Sequence, residues 1–310
     1  MSHENHQWWA VTVVCPLALE DSVYWAFDQL GSKGTASQKK DDSRIVTAYF
    51  LASQLQPEAL ETFKSELLAR LEDASVSVSW QLIAEEDWAK SWKRHWRAEE
   101  VGDRLLINPA WLTPPDTSRT ILTLDPGSAF GTGAHATTQL CLKALEKQAL
   151  IGATIADIGC GSGILSIVSL LYGARRAYAA DVDPLAFSST QTNAQANGID
   201  LARLPVKVGS LPEIIEMAQQ ADALPVDGIV CNILSEIIVG LIIPRLSELA
   251  GPATWGVLSG VLISKAPWVE EHLVAHGWQV TGMDTQDEWC SMTIRLAKAA
   301  PLATDLSTAS

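Results

Sequence analysis

Residues 154–183, TIADIGCGSGILSIVSLLYGARRAYAADVD, restrict the fold more than any other stretch of the chain. A short apolar run ends at Asp157, and Gly159, Gly161 and Gly163 follow at alternate positions. An apolar helical run, Ile164 to Leu171, comes next, and a second strand-like run, Ala177 to Val182, carries Asp181. Glycines in such a turn let backbone N–H groups approach a ligand where a Cβ would collide. The helix start behind them offers unpaired donors to an anion, and an acid at the end of the second strand can hold two ribose hydroxyls. The pattern predicts half of a nucleotide-binding βαβ unit.

The glycine spacing discriminates between nucleotides. A dinucleotide fingerprint is G-x-G-x-x-G or G-x-G-x-x-A, whereas here the third fingerprint place is Ile164. No lysine follows the glycines, which excludes a phosphate-binding P-loop. Asp157, two residues before the first glycine, gives D-x-G-x-G-x-G, which resembles the S-adenosylmethionine motif of Rossmann-like methyltransferases. From residue 154 strands and helices alternate: VKV, LPEIIEMAQQ, VDGIVCNIL, the helix SEIIVGLIIPRLSEL with Pro244 inside it, TWGVLSGVL and APWVEEHLVAHG. Such alternation predicts a parallel sheet covered on both faces. The closing strands GWQVTGM and EWCSMTIRLA are joined only by DTQD, so they must be antiparallel. The expectation is an α/β chain with a seven-stranded Rossmann-like methyltransferase sheet and S-adenosyl-L-methionine as cofactor.

Residues 1–84 read as a separate domain. Trp8 to Cys15, Arg44 to Leu51 and the strictly alternating Ser75 to Ile83 are strands. Helical spacing runs from Leu17 to Leu30 and stops at Gly31. A second helix starts near Pro57, where proline is tolerated. The order β-α-(β)-β-α-β predicts a ferredoxin-like α+β sandwich. With no catalytic cluster in it, this is a recognition domain or a purely structural one.

Residues 85–98, EEDWAKSWKRHWRA, predict a linker helix whose Trp88, Trp92 and Trp96 form one stripe, either packed on a neighbouring domain or facing a partner. Residues 99–297 form the methyltransferase domain, and 298–310 a small, polar tail. Within it, RLLINPAW and RTILTL flank the turn TPPDTS and resemble a hairpin covering the edge of the sheet. Gly127, Gly131 and Gly133 make the next loop flexible, and a helix starts near His135 to Thr138, with threonines able to cap it.

A formal charge of −14 and a pI near 4.8 argue against a general nucleic-acid binder; they suit a basic protein partner, and equally the acidity common among cytoplasmic proteins. The five cysteines are scattered, none with metal-ligand spacing, which fits free thiols in a reduced compartment and no metal. The opening MSHENHQWW has neither a basic nor an apolar leader region, and no apolar run approaches the ~20 residues needed to cross a bilayer. A cytoplasmic protein with no membrane partner is expected.

Position 232 carries the acceptor clue. Enzymes of this fold that methylate planar amides or base amines resemble one another in having Asn or Asp followed by Pro-Pro and an aromatic residue. Here Asn232 is followed by Ile233, Leu234 and Ser235. No aromatic plate is provided for a flat acceptor, and an aliphatic amine needs none. Asn232 is also suited to a helix N-cap or turn.

Taken together, DPGSAFGTGAHATTQLCL (125–142), DIGCGSGILSI (157–167), ADVDPLA (180–186), CNIL (231–234), LSGVL (258–262) and EWCSMTIR (288–295) resemble the bacterial methyltransferases of large-subunit ribosomal protein eleven, in the ribosomal stalk base. WKRHW (92–96) and INPAW (107–111) agree as well, while residues 1–84 match by architecture only. Ala134 and Ala136 stand where the family tends to have Thr and Pro. The resemblance implies trimethylation of lysine side chains and of the N-terminal amine of that ribosomal protein, with no direct nucleic-acid substrate. It implies an N-terminal domain that grips the substrate. It carries Thr138, Gly159, Asp181 and Asn232 over as cofactor contacts, with Gly161 in the same turn. Phe130 would lie against the cofactor or the acceptor channel, or else anchor the loop in the core. Asn232 would orient the amine, and His135 is either a proton acceptor or a helix-start residue. The alternatives are a methyltransferase of another protein or small-molecule amine, and a non-catalytic ribosome-associated binding module.

Overall fold

The structure is a computed structural model that describes residues 7–32, 35–40, 43–71, 73, 75–84, 97–125 and 133–297. The chain divides into two compact units, Met1–Trp96 and Arg97–Ser310. The tryptophan stripe, Phe130 with its loop glycines Gly127 and Gly131, and the 298–310 tail lie outside the described residues.

In the first unit β1 (Gln7–Pro16), β2 (Thr35–Lys40), β3 (Ser43–Leu51) and β4 (Ser77–Ala84) form a sheet in the order β2-β3-β1-β4. All three neighbour pairs are antiparallel. Helices α1 (Glu20–Gln29) and α2 (Pro57–Leu71) supply the crossovers, which gives the ferredoxin-like βαββαβ arrangement. Strand periodicity sends Val11, Val13 and Cys15 to one face, where they meet Phe27, Phe50 and Phe63. Phe27 and Phe63 stack with ring centroids 5.4 Å apart. The opposite face is not bare: Trp8, Ala10 and Tyr49 form a second small apolar cluster there. Gly31, at φ +82°, ends α1, and Ser32 N–H returns to the Phe27 carbonyl.

The second unit opens with β5 (Glu99–Val101), β6 (Leu105–Pro109) and β7 (Thr120–Leu124). The expected hairpin between INPAW and RTILTL is wrong: β6 and β7 are parallel, and the antiparallel partner of β6 is β5. Residues 110–119 are long enough to carry the chain back to the start of β6. Arg119 pins the return there, donating through Nη1 to the carbonyls of Gly102 and Leu105 and pairing through Nη2 with Glu100 at 3.0 Å. All five residues of β6 are buried, as a parallel strand covered on both faces requires.

Then comes the seven-stranded sheet, in the order β10-β9-β8-β11-β12-β14-β13. Its strands are β8 (Thr154–Ile158), β9 (Arg176–Asp181), β10 (Val206–Val208), β11 (Gly228–Asn232), β12 (Trp255–Leu262), β13 (Trp278–Gln286) and β14 (Trp289–Leu296). The first five run parallel, and β14 enters antiparallel between β12 and β13. Alternate residues of each strand feed two cores. Ile155 of β8 faces a core with α3 (Ala136–Glu146), α4 (Ile164–Leu171) and β5–β7. Ala156 and Ile158 face the other, with α6 (Leu211–Gln220) and α7 (Ala266–Ala275). Between these helices α5 (Pro184–Ala196) follows β9, opened by Asp183, whose carboxylate caps the Leu185 N–H at 2.9 Å.

The single helix expected over residues 235–249 is corrected. One α-turn, Ser235–Ile237, passes into a π-helical segment, Ile238–Ile242, and a 3-10 segment, Ile243–Glu248. Pro244 has no N–H to return to the carbonyl of Gly240, and its ring crowds that carbonyl, so the ladder changes pitch instead of continuing.

Candidate active site

The strand order reverses between β8 and β11, with β9 and β10 on one side and β12 on the other. Such a switch point opens a crevice at the carboxyl ends of the strands. Gly159 and Gly161 follow β8, Asp181 ends β9 and Asn232 ends β11, so four of the residues singled out in the sequence meet along this edge. Thr138, the fifth, comes from the first turn of α3.

The glycine turn is held by its neighbours. Gly159, Gly161 and Gly163 sit at φ +75°, +53° and +80°. These are left-handed conformations that side chains rarely adopt. Gly159 N–H and Cys160 N–H both donate to the Ala180 carbonyl, at 2.9 and 3.2 Å, and Gly161 N–H donates to Asp181 Oδ2 at 2.8 Å. The other oxygen of Asp181 accepts from Asp183 N–H at 2.9 Å. The carboxylate is therefore fixed in direction before any ligand arrives. Beside it Val182 is 74% exposed and Val208, at the end of β10, 50% exposed. An acceptor carboxylate between uncovered apolar side chains is an arrangement that suits a ribose, whose hydroxyls donate, and a flat base.

Under the turn lies Asp157, fully buried. Its Oδ2 accepts from Ser166 N–H at 3.0 Å and from Ser166 Oγ at 2.6 Å, which ties the end of β8 to the first turn of α4. Its Oδ1 is buried with no hydrogen-bond partner. Burial pushes the carboxyl up to about 7, against the opposing pull of the two Ser166 hydrogen bonds and with the nearby Asp181 adding to the rise.

On the other side of the crevice Asn232 Nδ2 donates to Thr138 Oγ1 at 3.3 Å. Thr138 is 1% exposed and Asn232 half-buried. Asn232 is not a helix N-cap; that place falls to Leu234, which caps through no side chain. The chain after Asn232 is seated from both sides. Ile233 packs where a Cβ on Gly159 would be, and its backbone occupies the space beside Gly260. Leu234 is then turned outward, 61% exposed.

The cap of α3 is His135 itself, not a threonine. Its Nδ1 accepts from Thr137 N–H at 3.3 Å and lies 2.8 Å from Thr137 Oγ1. The imidazole also meets Trp289 edge-on at 5.4 Å.

Two contributors were not singled out in the sequence. On α5, Thr190 Oγ1 donates to the Gly161 carbonyl and Asn193 Nδ2 to the Ser162 carbonyl, both at 3.0 Å. Asn193 Oδ1 also accepts from Asp125 N–H at 2.9 Å. The spacing of three residues puts Thr190 and Asn193 on one helix face, but only their burial shows that both polar side chains need partners. The cysteines offer no nucleophile. All five are free and buried, and burial pushes Cys141 up to about 12 and raises Cys160 and Cys231 further. Among the described residues no group of His, Cys, Asp or Glu is arranged to hold a metal, and no helix is long and apolar enough to cross a membrane.

Comparison with known proteins places the chain in a family. A relative from Synechococcus elongatus, described as "Ribosomal protein L11 methyltransferase", is 43% identical over 291 residues, 93% of this chain and 96% of its own length. One from Thermosynechococcus vestitus with the same description is 42% identical over 302 residues, 94% of this chain and 98% of the relative. The crystal structure of a ribosomal protein L11 methylase from Lactobacillus delbrueckii subsp. bulgaricus superposes with a TM-score of 0.57 at 30% identity, covering 66% of this chain and all of that one. The family profile described as "Ribosomal protein L11 methyltransferase (PrmA)" matches residues 7–297, and the chain therefore belongs to the ribosomal protein L11 methyltransferase family.

Proposed function

We propose that this chain is a cytoplasmic enzyme that methylates ribosomal protein L11, in the stalk base of the large subunit, on lysine side chains and on the N-terminal amine, up to the trimethyl state. S-adenosylmethionine is the methyl donor. When bound, it supplies an electrophilic methyl group on a positively charged sulfur. Asp181 would hold the ribose hydroxyls, the Gly159–Gly161 turn would let the chain approach closely, and Val182 and Val208 would flank the base. Thr138 and Asn232 line the methyl-bearing end.

The observation that carries the amine assignment is the Asn232–Thr138 hydrogen bond. With Nδ2 donating to Thr138, the Asn232 carbonyl oxygen is left to accept an N–H from the incoming amine. Ile233, Leu234 and Ser235 provide no ring to stack a flat acceptor. The attacking nitrogen must be neutral, whereas a free lysine amine has a pKa of about 10.4. Desolvation beside a cationic sulfur lowers that value. The proton leaves to water, because the nearby candidates are committed elsewhere: His135 caps α3, and Asp157 is buried against Ser166. Positioning, more than acid–base chemistry, then sets the rate. In this reading residues 1–84 are the substrate-recognition domain and 99–297 the methyltransferase domain.

Tritiated S-adenosylmethionine with ribosomal proteins separated by mass tests the reading. Label on ribosomal protein L11 supports it. Label on another protein or a small amine, or no label at all, overturns it.

A further inference from the structure

We propose that the edge of the sheet opposite the glycine turn carries a second ligand site, in which Arg175, Arg176 and Arg203 bind a compact phosphate-bearing anion of the pyrophosphate class. The residues line a cavity of about 590 Å³ at the start of β9, beside Gly152 and the end of α6. This site is independent of the methyl-transfer reading.

Each guanidinium is held in place by a neutral partner. Arg175 Nη2 donates to Thr154 Oγ1 at 3.1 Å, and Arg176 Nη1 to the Tyr178 hydroxyl at 3.3 Å. Arg203 donates from Nε to the Arg175 carbonyl at 3.2 Å and from Nη2 to the Ala174 carbonyl at 2.7 Å. None of the three has a carboxylate within ion-pair distance among the described residues, although the chain has 36 acids against 22 lysines and arginines. Arg44, Arg119 and Arg245 do pair with glutamates. Three like charges fixed around one cavity without a counter-ion repel one another, and Arg176 and Arg203 are half-buried, which weakens solvent screening. An anion relieves that repulsion. A guanidinium has five N–H donors, so each keeps donors in the fork geometry that matches phosphate oxygens.

The lining also bears on the kind of ligand. Tyr178, its one aromatic residue, is 2% exposed and presents no face on which a base could stack. The net charge of −14 repels a long polyanion beyond the arginines. Asp222, on the rim, is the one acid among the lining residues. Phosphate chemistry without base contacts points to a small multivalent anion over an RNA backbone.

Calorimetric titration of the full chain with pyrophosphate at low salt tests this, alongside inorganic phosphate, an oligouridylate and the Arg175→Glu and Arg175→Lys variants. Arg175 is exposed, so its replacement leaves the fold intact, and unchanged S-adenosylhomocysteine binding serves as the folding control. Saturable pyrophosphate binding is expected, weakened about tenfold or more by Arg175→Glu, the size of one charge-assisted hydrogen bond, and less by Arg175→Lys. Inorganic phosphate is expected to bind more weakly. The proposal fails if pyrophosphate does not bind saturably, if Arg175→Glu leaves binding unchanged, or if S-adenosylhomocysteine displaces the anion. It fails equally if the oligonucleotide binds through Arg175 and pyrophosphate does not.

Discussion

Asn232 Nδ2 donates to Thr138 Oγ1 at 3.3 Å, so the side chain at the end of β11 takes its direction from the first turn of α3. The two residues stand 94 apart in the sequence, and under the proposed function their contact would leave the Asn232 carbonyl oxygen to face an acceptor amine. Asn232→Ala removes that acceptor without disturbing the glycine turn. Turnover is expected to fall by about 100-fold, the scale of a mispositioned reacting atom. S-adenosylhomocysteine affinity should change by less than about tenfold. The loss should concentrate in the first and second methyl transfers, because a neutral dimethylamine nitrogen has no N–H left to donate. Single-turnover mass spectrometry of the modified protein distinguishes the steps, and near-normal turnover would remove Asn232 from the orienting role. Thr138→Val tests the same arrangement from the other side, with a smaller loss of about tenfold.

Asp181 joins the two halves of the cofactor cradle. One oxygen holds Gly161 N–H and the other Asp183 N–H, at 2.8 and 2.9 Å. Asp181→Ala therefore loses the brace on the turn together with the proposed ribose contact. Binding of S-adenosylhomocysteine should weaken by about 100-fold or more, corresponding to two charge-assisted hydrogen bonds. Asp181→Asn keeps an acceptor oxygen and should fall between. Calorimetry on the three proteins gives the order directly, and equal affinities would place the ribose elsewhere.

Gly260 explains part of the LSGVL segment that the resemblance left without a role. It sits at φ +80°, and an added Cβ would fall 2.7 Å from the Ile233 carbonyl carbon and 3.0 Å from its nitrogen. β12 can thus lie against the backbone that follows Asn232 only because this residue has no side chain. Gly260→Ala is expected to destabilise the protein by at least about 2 kcal/mol through backbone strain alone. This lowers the melting temperature by roughly 4–8 °C. Activity should fall further than stability accounts for, because the strand end that carries Asn232 must shift. Thermal unfolding and turnover measured on the same sample separate the two effects.

Local signals reached the cofactor half of the site and stopped short of its supports. Asp157, Gly159, Gly161 and Asp181 occupy one continuous stretch, and their places follow from one βαβ unit, so spacing alone placed them together. The seven-stranded sheet was likewise legible from alternation and from the short DTQD link. What the sequence hid depends on contacts between distant segments. Thr190 and Asn193 read as ordinary helix residues until the Gly161 and Ser162 carbonyls are seen beneath them. The parallel pairing of β6 and β7 depends on where Arg119 anchors the returning chain, which periodicity does not encode. Pro244 could have warned against one continuous helix, since its missing N–H is a local property, but the expected helix runs straight through it. The response, a π-helical segment followed by a 3-10 segment, is set by the apolar contacts of Ile238, Ile242 and Ile243 with the sheet.

Asp157 predicts how stability depends on pH. Its folded-state carboxyl is pushed from the ordinary 3.8 up to about 7, chiefly by burial. A group that holds its proton more tightly when folded stabilises the protein fully below its unfolded pKa, and that contribution is lost as pH rises through the folded value. The window therefore runs from about pH 4 to about pH 7. Above it the ionised carboxylate is buried with Oδ1 unpartnered, and only the two Ser166 hydrogen bonds offset the cost. Asp157→Asn keeps an oxygen to accept from Ser166 and carries no charge at any pH. Its stability relative to the unmodified protein should thus improve steadily between pH 4 and pH 7 and level off beyond. Denaturant midpoints of both ligand-free proteins across that range check the sign. A gap that stays constant with pH would show that Asp157 titrates at its ordinary value in the folded protein.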